Sequence, residues 1–177
     1  MGLIQSFTRP VGLAQPLILR TYDDSGGLTT GSPTADRATL VWIGRNARAL
    51  RVVDFTIYVS TAAGTTDLGM FTLSAKTGTP TATRLGSTGS QTVVGASAIQ
   101  TLTPSAPLWL PAGIDLWVGQ SFSSASAVVG RGAILAVTSA IDARVVFSAT
   151  QTPLGTGFVC TIGSSFLPWV AIRLSET

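Results

Sequence analysis

Leu50-Arg51-Val52-Val53-Asp54-Phe55-Thr56-Ile57-Tyr58-Val59-Ser60 decides how this chain is read. Val53, Phe55, Ile57 and Val59 fall on one face of an extended segment, and Asp54, Thr56 and Tyr58 on the other. Side chains alternate across a strand, so this spacing predicts a β-strand with one face buried. Ile114-Asp115-Leu116-Trp117-Val118 repeats the pattern, with Ile114, Leu116 and Val118 inward and Trp117 outward. Further strands are expected at 38–43, 68–73, 99–103, 133–138, 144–148, 157–162 and 168–174, all rich in β-branched and aromatic residues.

Turn signals separate these runs: Ala63-Gly64, Thr77-Gly78-Thr79-Pro80, Thr88-Gly89-Ser90, Pro111-Ala112-Gly113 and Pro153-Leu154-Gly155. Glycine supplies positive φ and proline presets it negative, so the chain reverses there. No amphipathic helix of useful length is present. Many short strands at turn spacing predict an all-β protein, an antiparallel β-sandwich of jelly-roll type. Residues 1–36, punctuated by Pro10, Pro16 and Pro33, are expected to form an extended N-terminal arm and loop, and residues 37–177 the sandwich domain. The Thr-, Ser- and Gly-rich stretch 77–92 reads as a flexible hairpin tip. Leu40 and Trp42 oppose Val41 and Ile43, so that strand is apolar on both faces, as is Pro107-Leu108-Trp109-Leu110. Such strands are covered on both sides, either by a packed loop or by another subunit.

Composition narrows the chemistry. Of 177 residues, none is histidine, and glutamate (Glu176), lysine (Lys76), asparagine (Asn46) and cysteine (Cys160) occur once each. Proton transfer by side chains relies on His, Glu, Asp and Lys, so an enzyme is not expected and no catalytic residue is assigned. Ser74-Ala75-Lys76 lacks the spacing of a Ser-Lys dyad, and most of the seven aspartates sit beside turns or on exposed strand faces. Asp23-Asp24-Ser25-Gly26-Gly27 reads as a turn before it reads as a calcium loop. Cys160, within Phe158-Val159-Cys160-Thr161-Ile162, reads as a small buried hydrophobe. No cofactor and no metal are expected.

Charged residues make up only 11% of the chain, against roughly 25% in ordinary soluble domains. A surface so poor in charge associates readily, which points to a protein that works against neighbours. The net charge of +3 comes from few acids, and the bases, almost all Arg, are dispersed, so nucleic acid is not an expected partner. No apolar run is long enough to span a membrane, and the N-terminus lacks a signal-peptide pattern. The densest positive patch is Arg45-Asn46-Ala47-Arg48-Ala49-Leu50-Arg51. Together with Trp42, Trp109, Trp117 and Trp169, its residues Arg45, Arg48 and Arg51 are the candidate interface residues. Trp117, beside Asp115, doubles as a candidate platform for a sugar ring, although the scarcity of Asn, Glu and His leaves few hydrogen-bonding partners for one.

Two stretches carry a resemblance. Leu110-Pro111-Ala112-Gly113-Ile114-Asp115-Leu116-Trp117-Val118-Gly119-Gln120-Ser121-Phe122-Ser123 resembles the turn-then-aromatic-strand segment of bacteriophage virion β-sandwich domains, and Phe166-Leu167-Pro168-Trp169-Val170-Ala171-Ile172-Arg173-Leu174 is similar to their closing strand. These domains occur in tail fibres, head fibres and capsid decoration proteins. With no fibrous shaft before the domain, the resemblance implies a decoration (cement) protein. Such a protein is expected to be made in the host cytoplasm, to form homo-oligomers, trimers foremost, and to sit on the virion surface against the major capsid protein. A receptor- or glycan-binding fibre tip and a jelly-roll coat protein of a small virus are the alternatives.

Overall fold

The computed structural model describes residues 17–21, 29–75, 78–131, 145–162 and 169–176. Its strands are β1 (Leu17–Arg20), β2 (Thr29–Gly31), β3 (Arg37–Arg45), β4 (Leu50–Thr61), β5 (Thr65–Leu73), β6 (Thr81–Ser87), β7 (Gln91–Thr92), β8 (Ala98–Leu102), β9 (Leu108–Leu110), β10 (Asp115–Phe122), β11 (Val128–Arg131), β12 (Val145–Ala149), β13 (Gly157–Val159), β14 (Thr161–Ile162) and β15 (Val170–Glu176). All pairings are antiparallel and fall into two sheets. The strand expected at 133–138 lies outside the described residues.

Strand order gives the topology. In the first sheet, A, β1 pairs β15 and β15 pairs β4, while β8 and β9 lie end to end along the far edge of β4. In the second, B, the order runs β3-β10-β5-β6. With β8 and β9 counted as one broken strand, these eight in chain order are β1, β3, β4, β5, β6, β8/β9, β10 and β15. Sheet A then takes the first, last, third and sixth, and sheet B the second, seventh, fourth and fifth. That interleaving is the jelly roll, as the turn-punctuated alternation predicted. Within the first 36 residues, β1 and β2 belong to sheet A, paired with β15 and β11. The described part of the expected arm is therefore built into the sandwich, and the compact fold does not start at residue 37.

β4 is the spine of sheet A. Leu50, Val52, Phe55, Ile57 and Val59 are buried, but Val53 is only half-buried. Along β15, Arg173 pairs Asp54 and Leu174 pairs Val52, so Val53 is an extra residue. This β-bulge shifts the phase of alternation by one, which is why Val52 rather than Val53 joins the core. Burying each such side chain contributes about 1.5–3 kcal/mol.

Sheet B curls until it meets itself. β13 pairs β6 at one end of the sheet, β14 pairs β12 at the other, and only Cys160 separates β13 from β14. One short segment thus joins both edges and makes a barrel of β6, β5, β10, β3, β12 and residues 157–162. Strands of sheet B consequently face two interiors. Val41, Leu68, Met70, Leu116, Val118 and Phe122 pack against sheet A. Ala38, Leu40, Phe71, Trp117, Val146, Phe158 and Cys160 fill the barrel. Leu40 is therefore covered within the chain, by the barrel that its own sheet forms, while Trp42 is half-buried against the same cluster.

The barrel's small bore explains its sequence. Gly69 and Gly119 are register partners, and the Phe71 ring lies directly over both. Phe71 in turn meets the Phe158 ring edge-on at 5.5 Å. β6 (Thr-Ala-Thr-Arg-Leu-Gly-Ser) is a full strand of this wall, not the flexible tip expected of 77–92. Its inward residues, Ala82 and Arg84, are small or polar because the bore has no room for a row of large aliphatics.

Candidate contact surface

β3, β5 and β10 of sheet B turn one face to sheet A and the other to the barrel; among the described residues the open surfaces are the outer wall of β6 and β13, where Val159 is exposed, and the outer face of sheet A. Registers place Ile18, Arg173 and Asp54 in one row across β1, β15 and β4. A second row holds Ser175, Arg51 and Trp109 across β15, β4 and β9. Tyr58 and Ile99 are partners further along β4 and β8. Ile18, Ile99 and Trp109 are 49%, 67% and 52% exposed, three of the five large hydrophobic residues so exposed among the described residues. Each stands among polar or charged neighbours (Ile18 beside Arg173, Trp109 beside Arg51, Ile99 beside Tyr58), so the face is mixed, with apolar side chains set singly on it.

An arginine-bearing corner adjoins this face where the β3–β4 turn meets the β9–β10 turn. Asn46 joins the two turns. Its side-chain amide donates to the carbonyls of Arg48 and Pro111, and its side-chain oxygen accepts from the Ile114 N–H. Its backbone completes the junction, donating to the Ile114 carbonyl at 3.2 Å and accepting from the Gly113 N–H at 2.8 Å. Gly113 takes φ +76°, a conformation that a side chain resists. Around this staple, Arg48 pairs with Glu176 at 2.6 Å and Arg173 pairs with Asp54. The Arg51 guanidinium lies 5.7 Å from the Trp109 ring centre, both groups being solvent-facing.

The structure thus brings Arg45, Arg48, Arg51 and Trp109 together at one end of the sandwich. It places the other candidates elsewhere. Trp117, expected on an outer face, is 1% exposed and sits in the barrel, because curling converts the outer face of β10 into an interior. It offers neither an interface nor a sugar platform. Trp169 is also buried, and its indole N–H has no partner among the described residues. Trp42 is half-buried against the barrel cluster, its N–H donating to Asp115 Oδ1 at 3.3 Å. Ile18, Ile99, Arg173 and the stapling role of Asn46 were not read from sequence. The alternation Ala171-Ile172-Arg173-Leu174 does put Arg173 outward, and that signal was available.

The remaining polar chemistry is structural. Asp67, fully buried, accepts from Ser87, Thr88 and the Leu154 N–H at 3.4, 3.2 and 3.0 Å. Arg84 donates to Ser87 and to the Leu154 carbonyl. Burial pushes the Asp67 carboxyl above its ordinary range, against the pull of these hydrogen bonds and of Arg84. The cluster ties the 150–155 loop to the wall of the barrel. Burial likewise pushes the Cys160 thiol up to about 11, which keeps it protonated and unreactive. Among the described residues, no three His, Cys, Asp or Glu side chains gather as a metal site. Asp23, Asp24, Lys76 and Asp142 lie outside the described residues.

No protein-family model matches the chain, and neither a curated protein nor a solved structure matches it.

Proposed function

We propose that this chain is a structural protein of a virus particle, a capsid decoration (cement) protein that stabilises a shell by bridging its subunits. The observation that carries the reading is the open face of sheet A, where Ile18, Ile99 and Trp109 stand exposed beside a corner of arginines. A jelly roll with one open sheet face, carrying exposed apolar side chains among arginines, is suited to burying area against neighbours. In this reading the chain assembles as a homo-oligomer, a trimer, whose contacts with the major capsid protein run through sheet A. The glycan-binding alternative has less support, because Trp117, its best platform, is buried.

The test is decoration itself. Purified chain is mixed with shells assembled from the major capsid protein encoded beside it, and co-sedimentation and the shells' thermal disruption are followed. Bound chain that raises the disruption temperature, with both effects lost in Ile99→Arg, is the expected result. A monomer that neither binds nor protects those shells would sink the proposal.

A further inference from the structure

We infer that the corner formed by Arg45, Arg48, Arg51 and Trp109 docks an acidic segment of another protein, one in which carboxylates are interleaved with apolar side chains. The inference deepens the proposed function by giving the partner's chemistry, and it rests on the reading that the chain works by contact.

Charge and geometry argue for that occupant. Among the described residues Arg45 and Arg51 form no ion pair, whereas the acids described on this side of sheet A, Asp54 and Glu176, are already engaged by Arg173 and Arg48. A second copy of the same face would therefore set arginine against arginine, and self-pairing is disfavoured. A partner surface bearing carboxylates fits without that conflict. Arg51 is also prepared for the task. The Trp109 ring lies within cation–π range of its guanidinium, and Arg51 is itself exposed, so its N–H donors are accessible to a partner. Those donors match a carboxylate as a two-pronged fork. Because Asn46 fixes the turn from which Arg45 and Arg48 project, the cations are carried on a built corner and not on a loose loop.

Nucleic acid would use the same cations but not the rest of the face. A phosphate backbone has no use for Ile18 and Ile99, and Trp109 by itself is a poor stacking track. A protein segment buries the apolar residues and neutralises the arginines in one contact.

The probe is a fluorescein-labelled random copolymer of glutamate and tyrosine, followed by anisotropy with the intact chain. Labelled poly-glutamate and an oligothymidylate of matched charge serve as competitors in class. The copolymer is expected to bind most tightly. Arg51→Glu should weaken it by about tenfold or more, Arg51→Lys by less, and Trp109→Ala measurably, with the near-ultraviolet dichroism unchanged. Arg131→Glu changes the net charge equally on β11, outside the corner, and should change binding by less than about threefold. The inference is overturned if the copolymer does not bind, if oligothymidylate binds as well, or if Arg131→Glu matches Arg51→Glu. It is overturned too if light scattering finds a Trp109-dependent dimer that excludes the probe. Copolymer binding without shell binding would end the capsid role yet leave the acidic docking site standing, so the two failures are distinguishable.

Discussion

Replacing Gly119 by alanine tests the central claim about sheet B, that it closes around a bore too narrow for a side chain at this position. A Cβ built at Gly119 lies 2.6 Å from Phe71 Cε2, 3.0 Å from Phe71 Cδ2 and 3.4 Å from Leu40 Cγ. Carbon atoms in contact prefer about 3.5–4.0 Å, so the ring must retreat by about 1 Å. It has nowhere to go: Phe71 is fully buried, Phe158 meets its edge, and Trp117 is its cross-strand neighbour. Overpacking of this kind costs about 2–3 kcal/mol. For a chain of this length that is a fall in Tm of about 4–12 °C. The assay is urea or thermal unfolding followed by tryptophan fluorescence, with Phe71→Leu and the double variant completing a cycle. Phe71→Leu leaves a cavity and is itself destabilising, but it removes the ring atoms that the new methyl strikes. The double variant should therefore recover about 1 kcal/mol or more relative to additivity. A Gly119→Ala protein melting within about 2 °C of the parent, or strict additivity, would refute the closed, ring-filled bore.

Two further expectations follow from the buried polar groups. Because burial raises the native Asp67 pKa, the folded chain holds this proton where the unfolded chain has lost it, so the contribution of Asp67 falls as pH rises through that window. Urea unfolding across pH 4 to 7 should show the parent losing stability relative to Asp67→Asn as pH rises, and the opposite slope would contradict the assignment (the pH range is about that of the ordinary carboxylate to neutrality). Asn46→Ala removes donors to Arg48 and Pro111 and an acceptor for Ile114, and should cost about 2–3 kcal/mol in the same assay; an exposed, inert Asn46 would show no change.

The sequence made the strands legible where one side chain in two was large and apolar. β4, β10 and β15 stood out because Phe55, Leu116 and Ile172 face a roomy inter-sheet core. The turn glycines were legible for a local reason, since Gly64, Gly89 and Gly113 all take positive φ. β6 escaped notice because the bore it faces accepts only Ala82 and a tethered Arg84. The bulge at Val53 was invisible because it arises from pairing with β15, more than a hundred residues away in the chain. The two-faced apolarity of Leu40 to Ile43 has two interiors as its cause: Val41 faces sheet A and Leu40 faces the barrel, while Trp42 and Ile43 are half-buried at the end of the strand. Trp117 failed for the same cause: which face of a strand is outer depends on whether the sheet stays open. In the contact surface, Arg51 and Trp109 were both named from sequence, whereas their contact depends on the register of β9 against β4, and that register is tertiary.

Closure of sheet B by residues 157–162 also gives the subunit a polarity. Both ends of that sheet run into the same segment, so β6 and β12 are each paired on both sides and the free sides at those ends fall to the short strands β13 and β14. One flank of the molecule is closed on itself, while the other presents an unroofed sheet. Two sheets of one sandwich are thus unlike in kind: one is wrapped round a core of its own, and the other borrows its single core from its neighbour and leaves its far face bare.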